Sequence, residues 1–343
     1  MNGTERIKAL LSGKQPDRIP YSGWYHVPGK DRDVDLFVEE TIRLTDKFGW
    51  DFVKVMPNGL HISEAYGAVV DFGADPDMPW GGIVHKYPIA GFEDLRKIKP
   101  LDPKENPVLK REVEVVRRLA EHYKGTKPIL PTMFNSITWI QEMTQSTVAS
   151  RILGFYAEHP DDLHAALKTL LETNIALADA YIEAGADGIF LASQYASSNL
   201  INLDTFKELN TDYDLKLLDH IKDRTWFNLV HVHGDSNLYF EEFAKYPVQA
   251  INWENASQKV AAEELTSVDK ARSVFDGVLI TGVDQVNDFN GSRNDIKENL
   301  KKRLDVLKSQ DPSGKFIFAP GCALPTDVDE DLFTLFGEVI GER

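Results

Sequence analysis

The sequence predicts an α/β protein built as a single, distorted (β/α)8 barrel, and three observations predict it. Short β-rich apolar runs alternate with longer stretches that carry apolar residues at three- and four-residue spacing almost throughout. Such alternation belongs to a parallel sheet covered by helices, closed or open; no Gly-x-Gly-x-x-Gly follows an early strand, so an open dinucleotide-binding sheet has no support. The chemically unusual residues gather where the predicted strands end, and barrel enzymes keep their catalytic side chains there.

Taken in order, Met1–Arg18 reads as a short helix feeding the fold, without the apolar run of a secretory signal. Strands are expected at Arg18–Tyr25, Asp51–Met56, Pro128–Met133 and Asp187–Ser193, then at Trp226–His233, Gln249–Trp253, Gly277–Val283 and Lys315–Ala319. Helices are expected at Asp35–Phe48, Pro160–Ala184, Leu203–Lys222, Ser257–Arg272, Ser292–Lys308 and Val328–Ile340. Pro160 with Asp161 and Asp162 marks a first turn, Ser292 offers a cap, and Gly185 reads as a stop. Residues 73–127 look less regular and are expected as an excursion between the second and third strands, covering one end of the barrel. No repeat or low-complexity linker divides the chain, so residues 1–343 are expected to form one domain.

Bulk composition narrows the function. The chain has 343 residues, 42% hydrophobic, and no run of about 18 apolar residues, so no membrane span is expected. A net charge of −16 repels phosphate backbones, which excludes nucleic-acid binding, and an anionic substrate would need a local basic pocket against that field. Cys322 is the only cysteine, which rules out an intrachain disulfide and fits a reducing cytoplasm. Taken alone, a single cysteine reads as a small buried hydrophobe.

The strand ends carry the chemistry. His231 and His233 lie two apart on a strand, so both imidazoles enter the same space. Cys322 ends the last strand, across the mouth. Two imidazoles and a thiolate suit zinc, and three protein ligands with one open position make a catalytic site. Nine histidines yield about a quarter of a His-x-His pair by chance, so the pair is weak without its placement, and the rings could instead bind a substrate carboxylate directly. In ligand-free protein the three donor atoms should stand roughly 3–4 Å apart, each imidazole handing its second nitrogen to an acceptor such as Asp235 or Glu254. Catalytic candidates are Glu64 (a fourth ligand, an acid/base, or merely a helix-start acid), Tyr195 and Asp284. Substrate-binding candidates are Asn58, His61, Ser193, Gln194 and Trp253, although a loop histidine is more often solvated and an aromatic residue more often core. Asp187 is expected to serve strand or loop structure, and the acids at 327–331 the first turn of the last helix.

At these residues the chain resembles the uroporphyrinogen decarboxylase superfamily, which includes cobalamin-dependent methyltransferases acting on thiols. The carriers are Arg6-Ile-Lys-Ala-Leu-Leu-Ser-Gly-Lys-Gln-Pro-Asp-Arg-Ile-Pro20, Glu64-Ala-Tyr-Gly67 and Ala184-Gly-Ala-Asp-Gly188 with Ser193. His231-Val-His-Gly-Asp235, Gly282-Val-Asp284 and Gly321-Cys-Ala-Leu-Pro325 complete them. The resemblance implies a distorted (β/α)8 barrel. True decarboxylases carry an Arg-Gln-Ala-Gly-Arg segment where this chain has Tyr21-Ser-Gly-Trp-Tyr-His-Val-Pro-Gly29, and an aspartate where it has Asn58. Their late histidine aligns with Gly321. Losing those groups argues against an octacarboxylate substrate. The methyltransferase branch shows His-x-Cys on the fifth strand and another Cys on the eighth, holding zinc that binds the acceptor thiol. Here His233 replaces the first Cys, which removes an anionic ligand and makes a bound thiolate less nucleophilic.

The resemblance therefore implies a zinc-dependent methyltransferase-like enzyme, moving methyl between a corrinoid or other donor and a small thiol-type acceptor. A corrinoid would sit on a separate partner protein, and a homodimer is left open. The enzyme alternative is a uroporphyrinogen decarboxylase, or a decarboxylase of a smaller acid. The other is a non-catalytic protein that binds a tetrapyrrole or corrinoid.

Overall fold

The computed structural model describes residues 1–73, 81–144 and 149–341. Its centre is a curled, seven-stranded parallel sheet in which sequence neighbours are spatial neighbours. Strand β1 is Val53–Val55; β2 (Val69–Phe72) and β3 (Gly82–Lys86) form a separate antiparallel hairpin. The main sheet continues with β4 (Ile129–Phe134), β5 (Phe190–Ser193) and β6 (Leu229–Val232), then β7 (Ala250–Trp253), β8 (Val278–Val283) and β9 (Phe316–Pro320).

The expected first strand, Arg18–Tyr25, does not form. Only Tyr21 bridges Phe318 in parallel. Pro20 has no N–H to donate, the Tyr21 N–H is taken by the Asp51 carboxylate at 2.9 Å, and a Cβ on Gly23 would stand 2.8 Å from the Trp50 ring. At that single level the segment still touches β9 and the approach to β1. Ser22 N–H donates to Phe318 O (3.2 Å), Phe318 N–H to Pro20 O (2.9 Å), and Asp51 N–H to Tyr21 O (2.9 Å).

Most helices lie where their periodicity places them. Val34–Phe48 is capped by Asp33, whose carboxylate accepts from Leu36 N–H, and ends at left-handed Gly49. Pro160–Glu183 ends before Gly185, also left-handed, and Arg293–Gln310 starts in a Ser292–Asp295 capping box. Two expectations were too long. Leu203–Lys222 is interrupted by a π-helical turn at Lys207–Thr211, and Ser257–Arg272 shrinks to Val268–Val274 behind a 3-10 turn. The last expected helix begins as a 3-10 turn at Glu330–Thr334 and becomes α-helical only at Leu335–Ile340.

The excursion at 73–127 needs correcting. Residues 74–80 lie outside the described ones, but Pro107–Tyr123 is a regular helix, capped by Asn106 with Pro107 in its first turn. It buries Val108, Leu109, Val115, Val116, Leu119 and Tyr123 and is the crossover that lets β1 and β4 pair in parallel.

Two cores follow from strand alternation. Side chains facing the helices join one large cluster. Phe52, Leu130, Phe190, Leu229, Ala250, Val278, Ile280, Ile317 and Ala319 face the other way and fill the concave side, plugged at one end by Ile7, Leu10 and Trp24. Phe227, at the approach to β6, packs on the same side. Each further step of two along β1, β6 and β7 continues that inner face, to Lys54, His231 and Asn252. Among the described residues no helix is long and apolar enough to cross a membrane.

Candidate metal centre

The inner layer of apolar side chains makes a floor, and polar residues stand on it. The His231 ring lies 5.6 Å from Phe190 beneath and 5.6 Å from the His233 ring above. Register places His231 beside Asn252 on β7. Asn252 gives its side-chain N–H groups to the carbonyls of Ile280 (2.8 Å) and Pro320 (3.0 Å), which leaves its oxygen as an acceptor. His231 Nδ1–H donates to that oxygen at 2.6 Å. The proton is thereby held on Nδ1, and Nε2 keeps a lone pair for a ligand. The acceptor is therefore Asn252, not Asp235 or Glu254. Asp235 meets Ser236 and Ser257 instead.

Cys322 reaches the histidines because Gly321 precedes it. A Cβ on Gly321 would stand 2.7 Å from Glu254 Cα, so only glycine lets the end of β9 approach β7 this closely. The Cys322 sulfur is 3.9 Å from His233 Nδ1, and one donor atom from each of His231, His233 and Cys322 falls within 4.8 Å of the others. That is slightly wider than the expected 3–4 Å and well inside the distance that would separate them functionally.

The electrostatics fit a ligand set. Burial alone would raise the Cys322 thiol, but hydrogen bonds and charge from the two imidazoles outweigh it and bring the thiol well below its usual range. Burial would lower His233, yet its contact with Cys322 and the charge there, with Glu254 and Asp235, leave it raised. Glu254 is raised by burial and then by Cys322, while His233 and the Gln285 amide act the other way. Gln285 ties the two together: its N–H reaches Glu254 (2.8 Å) and its oxygen accepts the Cys322 N–H (3.2 Å).

Of the other residues named from sequence, only Gln194 and Tyr195 continue from a strand end beside the triad. Gln194 N–H donates to the Thr138 hydroxyl (3.2 Å). The Tyr195 hydroxyl is buried with no hydrogen-bond partner among the described residues, and burial, with the charge of Glu142, raises it. The rest are engaged elsewhere. Glu64 is ion-paired with Arg32 (2.6 Å) and Arg111 (3.1 Å). Asp284 is spent on a turn, accepting from Val286 N–H, Asn287 N–H and the Asn287 side chain. Trp253 is fully buried on the helix side and donates to Thr266 O. Ser193 sits among Asn135 and Asn210 behind the sheet. Asn58 bonds Asp31, and His61 Nδ1 lies 2.8 Å from Asn58 O, its pKa lowered by burial to about 4. Asp187 serves structure as expected, accepting from Ile129 N–H and the Trp226 indole.

The sequence reading missed three residues. Asn252 lay beside Trp253 on an expected strand, and its place opposite His231 through the register was the missing step. Lys54 carried a signal, a lysine at an inward position between Phe52 and Met56. Glu142, pushed by burial to about 7 and opposed by His233, is the last residue of a short helix and carried none.

Residues 2–342 match the uroporphyrinogen decarboxylase (URO-D) family. The chain belongs to that family. It is 25% identical over 80% of its length to a methylcobamide:CoM methyltransferase, MtbA, of Methanosarcina acetivorans, covering 75% of that protein. It is 22% identical to the methylcobamide:CoM methyltransferase MtaA of Methanosarcina barkeri, over 93% of this chain and 91% of the relative. A solved methyltransferase from Methanosarcina mazei superposes with a TM-score of 0.76 at 18% identity, covering 100% and 99% of the two chains, and shares the fold. A URO-D chain with such relatives is an enzyme of methyltransferase-like type.

Proposed function

We propose that the enzyme transfers a methyl group from a corrinoid, carried on a separate protein, to a small thiol acceptor, and that His231, His233 and Cys322 hold a zinc ion for this purpose. One observation carries the reading: three residues from β6 and the end of β9, distant in sequence, bring an imidazole pair and an acidified thiol within 4.8 Å on the concave side. The donor set fits the metal. Two neutral nitrogens and one thiolate make a three-ligand site with a position left open, and the His231 tautomer is already the one a ligand needs. When bound, zinc supplies the Lewis acidity that keeps an acceptor sulfur as thiolate at neutral pH.

The chain's own residues do the rest. Asn252 orients His231, Gln285 positions both Cys322 and Glu254, and the buried Tyr195 hydroxyl and Glu142 carboxyl present polar groups on the His233 side. The apolar floor of Phe190 and Leu229 excludes water from the reacting sulfur. Pro20–Ser22, touching both β9 and the approach to β1, supplies the eighth position of a closed barrel and keeps β9 within reach of the histidines. The names of the Methanosarcina relatives supply the donor and acceptor classes.

Metal analysis tests the proposal. Protein purified without chelator is expected to carry about one zinc per chain. Cys322→Ser should lose most of it while keeping the circular dichroism of the parent, since the residue adds little to the core. Protein free of metal, with no zinc uptake on titration, ends the reading.

A further inference from the structure

Lys54, on the inner face, is a feature that nothing above uses. It sits on β1 between Phe52 and Met56 and is 7% exposed. Its ammonium has three donors, yet the bonding around it is poor. Nζ lies 2.6 Å from the Met56 sulfur, a weak acceptor, and 4.4 Å and 5.8 Å from the faces of Phe190 and Trp24. Among the described residues no carboxylate pairs with it, and the charged or titratable groups that reach it are Cys322 and His26. Burial brings its pKa down to about 7, with only Cys322 acting against that.

An ammonium buried this deeply without a counter-ion is costly. The chain as a whole is strongly acidic, so a small anion needs a local cation to enter. Lys54 stands on the same inner face as the triad and within electrostatic reach of Cys322. With Met56 and Trp24 it also lines a small cavity running out between Gly23–Val27 and the helix Val34–Phe48.

We propose that Lys54 is the docking group for an acid group on the small substrate, a carboxylate or sulfonate held on Nζ while the reacting end of the molecule lies at the triad. The second clause rests on the proposed function; the first does not, and it can be tested with the metal removed.

The probes are propionate and ethanesulfonate, which carry the acid and no thiol, with propionamide as the neutral control. Binding is measured by calorimetry on the full chain, zinc-loaded and chelator-treated. Wild-type protein is expected to bind either anion about tenfold or more tightly than propionamide. Lys54→Met and Lys54→Gln should abolish that preference and leave propionamide unchanged. Both variants remove an uncompensated buried charge, so both are expected to melt no lower than wild type. The wild-type comparison of propionate with propionamide needs no variant. Equal affinity for the two, or an anion preference that survives both substitutions, overturns the proposal. Neither result touches the zinc content, so a failure here is distinct from a failure of the metal reading.

Discussion

Two buried polar clusters lie close in the fold, and both drew attention from sequence. One contains Asn58, Glu64, Arg111, Glu112, Arg32 and Asp31; the other contains His231, His233, Cys322, Lys54, Glu142 and Tyr195. In the first, every group named has a partner. Arg111 sits between Glu64 and Glu112 at 3.1 and 2.8 Å, Arg32 holds the other Glu64 oxygen, and Asn58 donates to Asp31. In the second, donors face one another. Two imidazoles crowd a thiol, a hydroxyl has no acceptor, and a lysine has only a thioether. Residue type does not separate the two clusters, since both mix acids, bases and amides. Satisfaction does. A cluster that neutralises itself stabilises the fold, while one left incomplete is built around something it binds.

Three experiments break or sharpen that contrast. The largest effect is expected at Arg111→Met, which strands Glu112 and half of Glu64 in the interior. Unfolding free energy should fall by about 3–5 kcal/mol in urea, with zinc binding unchanged in the folded fraction. Loss of zinc without loss of stability would show that the first cluster serves the site. Next comes Asn252→Ala, which removes the acceptor from His231 Nδ1. Zinc affinity, read by chelator competition, should drop about 10–100-fold, with Asn252→Asp retaining part of it. Unchanged affinity would mean that the histidine needs no orienting partner. The smallest concerns pH. Burial holds Glu112 at about 7 despite Arg111, above its value in the unfolded chain. The folded protein therefore keeps a proton that the unfolded chain releases from about pH 4.5. That contribution is complete below pH 4.5 and is lost as pH rises through 7. Glu112→Gln should flatten this part of the stability curve by about 1–2 kcal/mol, and an identical slope in both proteins would place the proton elsewhere.

Much of the fold was legible because periodicity is local. The helices starting near Val34, Pro160 and Arg293 declare themselves by caps and spacing. The strand expected at Arg18–Tyr25 has the right composition but loses its ladder to Pro20 and the Asp51 carboxylate, a partner thirty residues away. The helix Pro107–Tyr123 was hidden by the prolines before it, although Asn106-Pro107 is a helix start. At the site, His231, His233 and Cys322 were readable from strand ends alone. The contacts of Glu64 and Asp284 could not be foreseen, because a carboxylate's surroundings depend on who else is near, and Arg111 and Asn287 cannot be located by spacing. Lys54 was readable and went unread, since its meaning comes from the missing counter-ion.

The order of the sheet has one more consequence, for assembly. From β5 to β9 each strand pairs with the one before it, so each unit can dock as soon as it has been synthesised. The exception is the contact of Tyr21 with Phe318, which joins an early segment to the last strand. Cys322 follows that strand. A nascent chain that has reached Trp253 presents two imidazoles and no thiolate, and gains its third donor only as β9 lands. At the proposed site, zinc uptake therefore waits until the end of β9 has docked against the end of β6.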